Sequence, residues 1–172
     1  MGEKTLVSAV LATCVLAACA RGASTASPGA ESQTARVGRP APGWSEASLP
    51  GPTLAFASLH GKAVYLNFFA TWCPPCNQEA PAINALQRAY GNRGLQVVGV
   101  DVLENARKAA EFRDAHRLVY PVVIDAGTLR DQYNINGLPV HVFINRDGVV
   151  GKIVVGELSS SDMRRDVEQI LR

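Results

Sequence analysis

Apolar residues gather first in Leu6–Ala18, a run broken only by Ser8 and Thr13 and preceded by the single Lys4. This is the shape of a secretion signal, and it is too short to span a bilayer. Residues 20–36 show no apolar period and are mostly Ala, Ser, Thr, Gly and Gln. They cannot bury enough surface to offset their ordering entropy, so they read as a tether, and a folded domain is expected from Val37 onward. Trp44–Ser48 and Thr53–Ala57 flank the turn residues 49–52 and predict a short edge hairpin. Ala63–Ala70 is aromatic and β-branched with apolar residues on both faces, as in a buried central strand. A helix follows over Asn77–Tyr90, where Ala80, Ile83 and Leu86 recur at steps of three before Gly91 and Gly94. Leu95–Val102 predicts a second buried strand, Asn105–His116 a polar helix, Tyr120–Asp125 a third strand and Leu129–Tyr133 a short helix. Val140–Asn145 and Val149–Gly156 flank Arg146-Asp147-Gly148, whose Asp-Gly step marks a hairpin, and Ser159–Leu171 closes the chain as a capped helix. The order βαβ then ββα predicts an α/β fold with a mixed sheet and helices on both faces, because a crossover pairs strands parallel and a hairpin pairs them antiparallel.

Length and charge narrow the picture. At 172 residues, with 47% hydrophobic and 19% charged residues, the chain holds one core of ordinary size. A net charge of +2 supplies no basic field of the kind nucleic acid requires.

Four cysteines remain to be placed: Cys14, Cys19, Cys73 and Cys76. Leu16-Ala17-Ala18-Cys19 resembles the lipobox of bacterial lipoproteins, which implies cleavage before Cys19 and lipidation of that residue. The competing Leu11-Ala12-Thr13-Cys14 fits less well, since Thr13 is bulkier than the small residues usual before the cleaved bond. Residues 1–18 are then a signal peptide, 19–36 a lipidated cysteine with its tether, and 37–172 the domain, placed outside the cytoplasm on a membrane. Only Cys73 and Cys76 remain in the folded part.

These two lie in Trp72-Cys73-Pro74-Pro75-Cys76, between a predicted buried strand and a helix start. Cysteines at i and i+3 can close a disulfide with little backbone movement, and the first sits where helix amides favour a thiolate. Cys73 is thus the candidate nucleophile, and Cys76, one turn inside and expected to be more buried, the resolving thiol. A static disulfide and half of a zinc site are the competing readings. Zinc wants about four ligands, and His60, His116 and His141 show no paired spacing, so no metal is expected. Pro74 and Pro75 lack N–H groups, which leaves the Cys76 amide as the main donor to a Cys73 thiolate. A less stabilised thiolate means a more stable disulfide, and hence a reductant.

Phe69-Ala70-Thr71-Trp72-Cys73-Pro74-Pro75-Cys76 with Glu79 and Pro81, then Gly137-Leu138-Pro139 and Phe143-Ile144-Asn145-Arg146-Asp147-Gly148, resemble the TlpA and ResA group of thioredoxin-like, membrane-tethered thiol-disulfide oxidoreductases. The resemblance implies a thioredoxin-like fold with an N-terminal β extension and an inserted βα unit, placed at Leu95–Tyr120. It implies a redox-active Cys73–Cys76 disulfide with no separate cofactor. Pro139 would be a cis-proline facing the cysteines, and Trp72 and Leu138 would contact substrate. Pro81 reads as a structural kink within the helix.

Glu79 projects about 60° around the helix from Cys76 and is either a proton acceptor during exchange or a solvated carboxylate near the positive helix end. Glu104 matches an acidic position near the family's active-site groove and is equally a helix-start carboxylate. Trp72 is a surface contact or a packing aromatic. His141 stands where a small or hydroxyl residue is expected, on the sheet face of Pro139, and reads as a plain ladder residue unless it faces the cysteines. His60 and His116 read as surface residues.

The implied partners are exported thiol or disulfide proteins such as apocytochrome c, a transmembrane thiol donor of electrons, and the membrane itself through the lipid. Two alternatives remain at this stage: an oxidase that inserts disulfides, and a Cu(I)-binding metallochaperone using the soft thiolates. A peroxidase lacks its usual Thr/Pro-containing cysteine context.

Overall fold

The computed structural model describes residues 1–2, 34–49, 51 and 53–172. Residues 3–33, which hold nearly all of the expected signal peptide and tether with Cys14 and Cys19, lie outside the described residues. Ala35 is already packed into the core, and its N–H donates to Gln132 O at 2.8 Å.

Strand β4 (Ala63–Phe69) is the centre of the molecule, and all seven of its residues are buried. It pairs in parallel with β5 (Leu95–Val102) on one side and antiparallel with β7 (Val140–Ile144) on the other. The sheet continues outward through β6 (Val122–Asp125), parallel to β5, and through β8 (Val150–Val155), antiparallel to β7. A two-residue strand, β2 (Ser48–Leu49), joins antiparallel beside β6 and completes the order β2-β6-β5-β4-β7-β8. This is the mixed sheet that the βαβ and ββα order requires.

Alternation along β4 divides the core. Val64, Leu66 and Phe68 face one side, where they meet Leu129 and Tyr133 of the α3 region and Trp44 and Leu59 of the N-terminal segment. Ala63 and Tyr65 face the other, under α1 (Pro74–Tyr90) and α4 (Ser160–Ile170), which contribute Ile83, Leu86, Met163 and Val167. Phe69 shares that side and stacks at 4.3 Å on Phe112 of α2 (Ala106–Ala115). Helix α3 (Thr128–Gln132) is short and is held by Asp125, whose carboxylate accepts from the N–H groups of Gly127, Leu129 and Arg130.

Three expectations change in detail. The helix starts at Pro74 rather than Asn77, because prolines suit the first helical positions, where no N–H partner is needed. The edge hairpin is reduced to β1 (Ser45–Glu46) paired with β3 (Leu54–Ala55); Phe56–Leu59 turns into a 3₁₀ helix and β2 leaves for the main sheet. The inserted unit is not Leu95–Tyr120, since β5 sits between β4 and β6 in the sheet. What lies between the two halves is α2, β6 and α3. The Asp-Gly turn forms as expected: Asn145 Oδ1 accepts from Asp147 and Val149 N–H, and Gly148 takes φ +76°.

Candidate active site

Strand β4 delivers the chain to the end of the sheet, and the loop Ala70–Cys73 turns it into α1. Cys73 caps that helix with an extended backbone, and its N–H donates to Ala70 O at 3.1 Å. Cys73 and Cys76 form a disulfide. The two residues are 3% and 2% exposed, so overall exposure does not separate them as the expected burial of Cys76 would have. The Cys76 N–H approaches Cys73 Sγ at 3.4 Å and is its one hydrogen-bond donor among the described residues. Pro74 and Pro75 have none to offer.

The loop is tied from two directions. Asn77 Nδ2 donates to Thr71 O at 3.0 Å and Cys73 O at 2.9 Å, while its Oδ1 accepts from His116 Nε2 at 2.9 Å. His116 is therefore not a free surface residue; it is half-buried against Phe112, and burial pulls its imidazole below the usual range. From the other side, Glu104 accepts from Thr71 N–H at 2.6 Å and from Thr71 Oγ1 at 2.8 Å. Leu103, just before it, has φ +59°, which aims Glu104 back at the loop. With its backbone held on both flanks, Trp72 stands 70% exposed beside the nucleophile, at the surface rather than packed in the core.

Asp101 sits on β5 in register with Phe69, which packs with the cysteines. It is fully buried, and neither carboxyl oxygen meets a donor among the described residues. Burial, then the charge of Glu104, push it up to about 8. At neutral pH Asp101 therefore keeps its proton.

Glu79 is 4% exposed, which removes the solvated-carboxylate reading. Oε1 accepts from Leu158 N–H at 2.5 Å, and Oε2 lies 3.5 Å from His141 Nε2. Burial pushes this carboxyl up to about 7, against the opposing Leu158 bond and with a further push from Glu157. His141 is fully buried on β7, with Nδ1 2.8 Å from the Tyr65 hydroxyl and 3.5 Å from Asn67 Nδ2, and with Nε2 3.1 Å from Gly156 O. Burial drops its imidazole to about 4, so it is neutral at pH 7. Sequence reasoning places His141 on the right face and does not pair it with Glu79; its departure from the expected small residue is the available signal.

The Leu138–Pro139 bond is cis, and Leu138 packs against the cluster that contains both cysteines. No group of three His, Cys, Asp or Glu suited to a metal occurs among the described residues. Among the same residues no helix is long and apolar enough to cross a membrane.

Comparison with known proteins agrees with this geometry. The AhpC/TSA family matches residues 37–153. A protein of Bacillus cereus named thiol-disulfide oxidoreductase ResA is 31% identical over 142 residues, covering 82% of each chain. The crystal structure of a thiol:disulfide interchange protein of the thioredoxin family from Chlorobium tepidum TLS superposes with a TM-score of 0.73 at 35% identity, covering 80% of this chain and 99% of that one. A putative thiol:disulfide interchange protein DsbE from Chlorobium tepidum gives 0.76 at 27% identity, covering 81% and 100%.

Proposed function

Given that the chain belongs to the AhpC/TSA family and is a thioredoxin-like thiol-disulfide oxidoreductase, we propose that it acts outside the cytoplasm, anchored to a membrane through lipidated Cys19, as a reductant of disulfides in exported proteins such as apocytochrome c. The apolar run Leu6–Ala18 and the Leu16–Cys19 motif support the location. The observation that carries the direction is the sparse donor set at Cys73, a single N–H at 3.4 Å. A thiolate stabilised so little leaves the disulfide the favoured form, and the dithiol gives up electrons readily.

Cys73 thiolate attacks one sulfur of a client disulfide. The client bond breaks, its other sulfur leaves and takes a proton, and a mixed disulfide joins Cys73 to the client. Cys76 passes its proton to the Glu79 carboxylate and attacks Cys73 Sγ. The mixed disulfide breaks, the second client thiolate departs, and the Cys73–Cys76 disulfide forms. Two electrons have moved to the client, and a transmembrane thiol donor must return two to restore the dithiol. Trp72, Leu138 and Pro139 would line the client's path to Cys73.

The reduction potential of the full chain, equilibrated against thiol buffers and read by alkylation, tests the direction. A value at or below about −250 mV is expected, and one near −120 to −150 mV would make the protein a disulfide donor.

A further inference from the structure

The Glu79 carboxyl has one secured oxygen and one open one. Oε1 is held by Leu158 N–H, whereas Oε2 is buried without a hydrogen bond among the described residues and lies 3.5 Å from His141 Nε2. The tautomer of that ring follows from its neighbours. Gly156 O, 3.1 Å from Nε2, can only accept, so Nε2 carries the hydrogen. Nδ1 must then accept, and the Tyr65 hydroxyl donates to it at 2.8 Å. Tyr65 is itself fully buried and stacked at 4.6 Å on Phe143, so its hydroxyl is fixed in place. That one N–H is taken by Gly156 O, and the open carboxyl oxygen lies 3.5 Å from the same nitrogen without a hydrogen bond, so the positive N–H edge of the ring neighbours the carboxyl without bringing a charge into the core.

We propose that His141 is a positioning residue for the exchange: held as the Nε2–H tautomer by Tyr65 and Gly156, it steadies the Glu79 carboxyl and favours its ionised form, the form that accepts the proton from Cys76. This rests on Glu79 being the proton acceptor. Tyr65 comes from β4, His141 from β7, Glu157 from the segment after β8, and Asp166 from α4 with Lys152 of β8 bonded to it at 2.7 Å. Glu157 opposes ionisation of Glu79, and Asp166 would favour a charged imidazole, so neither favours an ionised carboxyl beside a neutral ring. Leu158 N–H holds the other oxygen, which leaves Oε2 to His141.

The test uses the full chain. The titration midpoint of the Glu79 side-chain carboxyl is followed by carbon NMR, and the pH–rate profile of disulfide exchange is measured alongside it. The proteins are wild type, Glu79→Gln, His141→Leu, His141→Gln and Tyr65→Phe. In His141→Leu both the carboxyl midpoint and the rate inflection should rise by a pH unit or more. His141→Gln, whose amide can donate near the Nε2 position, should bring both back, and Tyr65→Phe should move both upward by a smaller amount. A purely structural role for the ring would change stability without moving either midpoint. If the inflection is lost in Glu79→Gln but stays put in His141→Leu, or in Tyr65→Phe should His141→Leu not fold, this inference alone is overturned. If the inflection survives in Glu79→Gln, the proton-acceptor reading falls and this inference falls with it.

Discussion

Glu79 and Asp101 are both buried carboxyls near the cysteine pair, one on α1 and one on the adjacent strand β5, and burial raises both. Glu79 accepts a hydrogen bond from Leu158 N–H, with His141 Nε2 3.5 Å from its other oxygen, and is pushed up to about 7. Asp101 faces another carboxyl, Glu104, and is pushed further, to about 8. Donors stabilise the ionised form and a neighbouring anion opposes it, so the same desolvation yields two different groups. Glu79 can gain or lose a proton near neutral pH, which suits a base. Asp101 keeps its proton there and lies within the field of Glu104, whose side chain pins Thr71 at the mouth of the site. A raised value marks a functional candidate in both cases, and only the neighbours separate a working carboxyl from a latch.

The sharpest way to break that distinction is Glu79→Gln. Exchange should rise with pH through about 7 in the wild type, as the carboxyl ionises, and the variant should lose this rise and resolve mixed disulfides about 10²-fold more slowly above it. Stopped-flow measurement of mixed-disulfide resolution reads the change, and a wild-type rate in the variant would make both carboxyls structural. Asp101→Asn probes the other side. The folded state holds the Asp101 proton up to about 8 while the unfolded chain releases it near 4, so wild-type stability from this group falls as pH rises across that window. The variant should escape the fall and be more stable at pH 8 by about 1–3 kcal/mol, with exchange unchanged. Denaturant unfolding from pH 4 to 8 checks this; equal slopes for the two proteins would refute it. The smallest effect is expected from Thr71→Val, which removes the Oγ1 donor to Glu104 and keeps the N–H. It should cost about 1 kcal/mol in the same assay, and no cost would show that the backbone bond holds the loop alone.

Much of the site lies close together in the chain and is therefore readable from it. Cys73, Cys76 and Glu79 fall within two turns of one helix, and the strand before them announces itself by an apolar run on both faces. The helix start shifts by three residues between sequence and structure, because a proline pair looks like a break until the chain before it is seen to end as a strand. The inserted unit is misplaced in a sequence reading because strand order in a sheet is not written in chain order: β5 looks separable in sequence and is central in space.

Composition, the alternation of strands and helices and the Cys-Pro-Pro-Cys spacing were determined by local chemistry, since backbone propensity, capping and a short disulfide loop involve near neighbours. The fates of Glu79, Asp101 and His141 were decided by the tertiary structure alone. Each is a polar residue whose ionisation depends on burial and on groups brought from elsewhere, Leu158 and His141 onto Glu79, Glu104 onto Asp101, Tyr65 onto His141. A carboxyl in sequence has only its type. Its proton affinity is a property of the space around it, and that space exists only once the sheet has brought β4, β5 and β7 side by side.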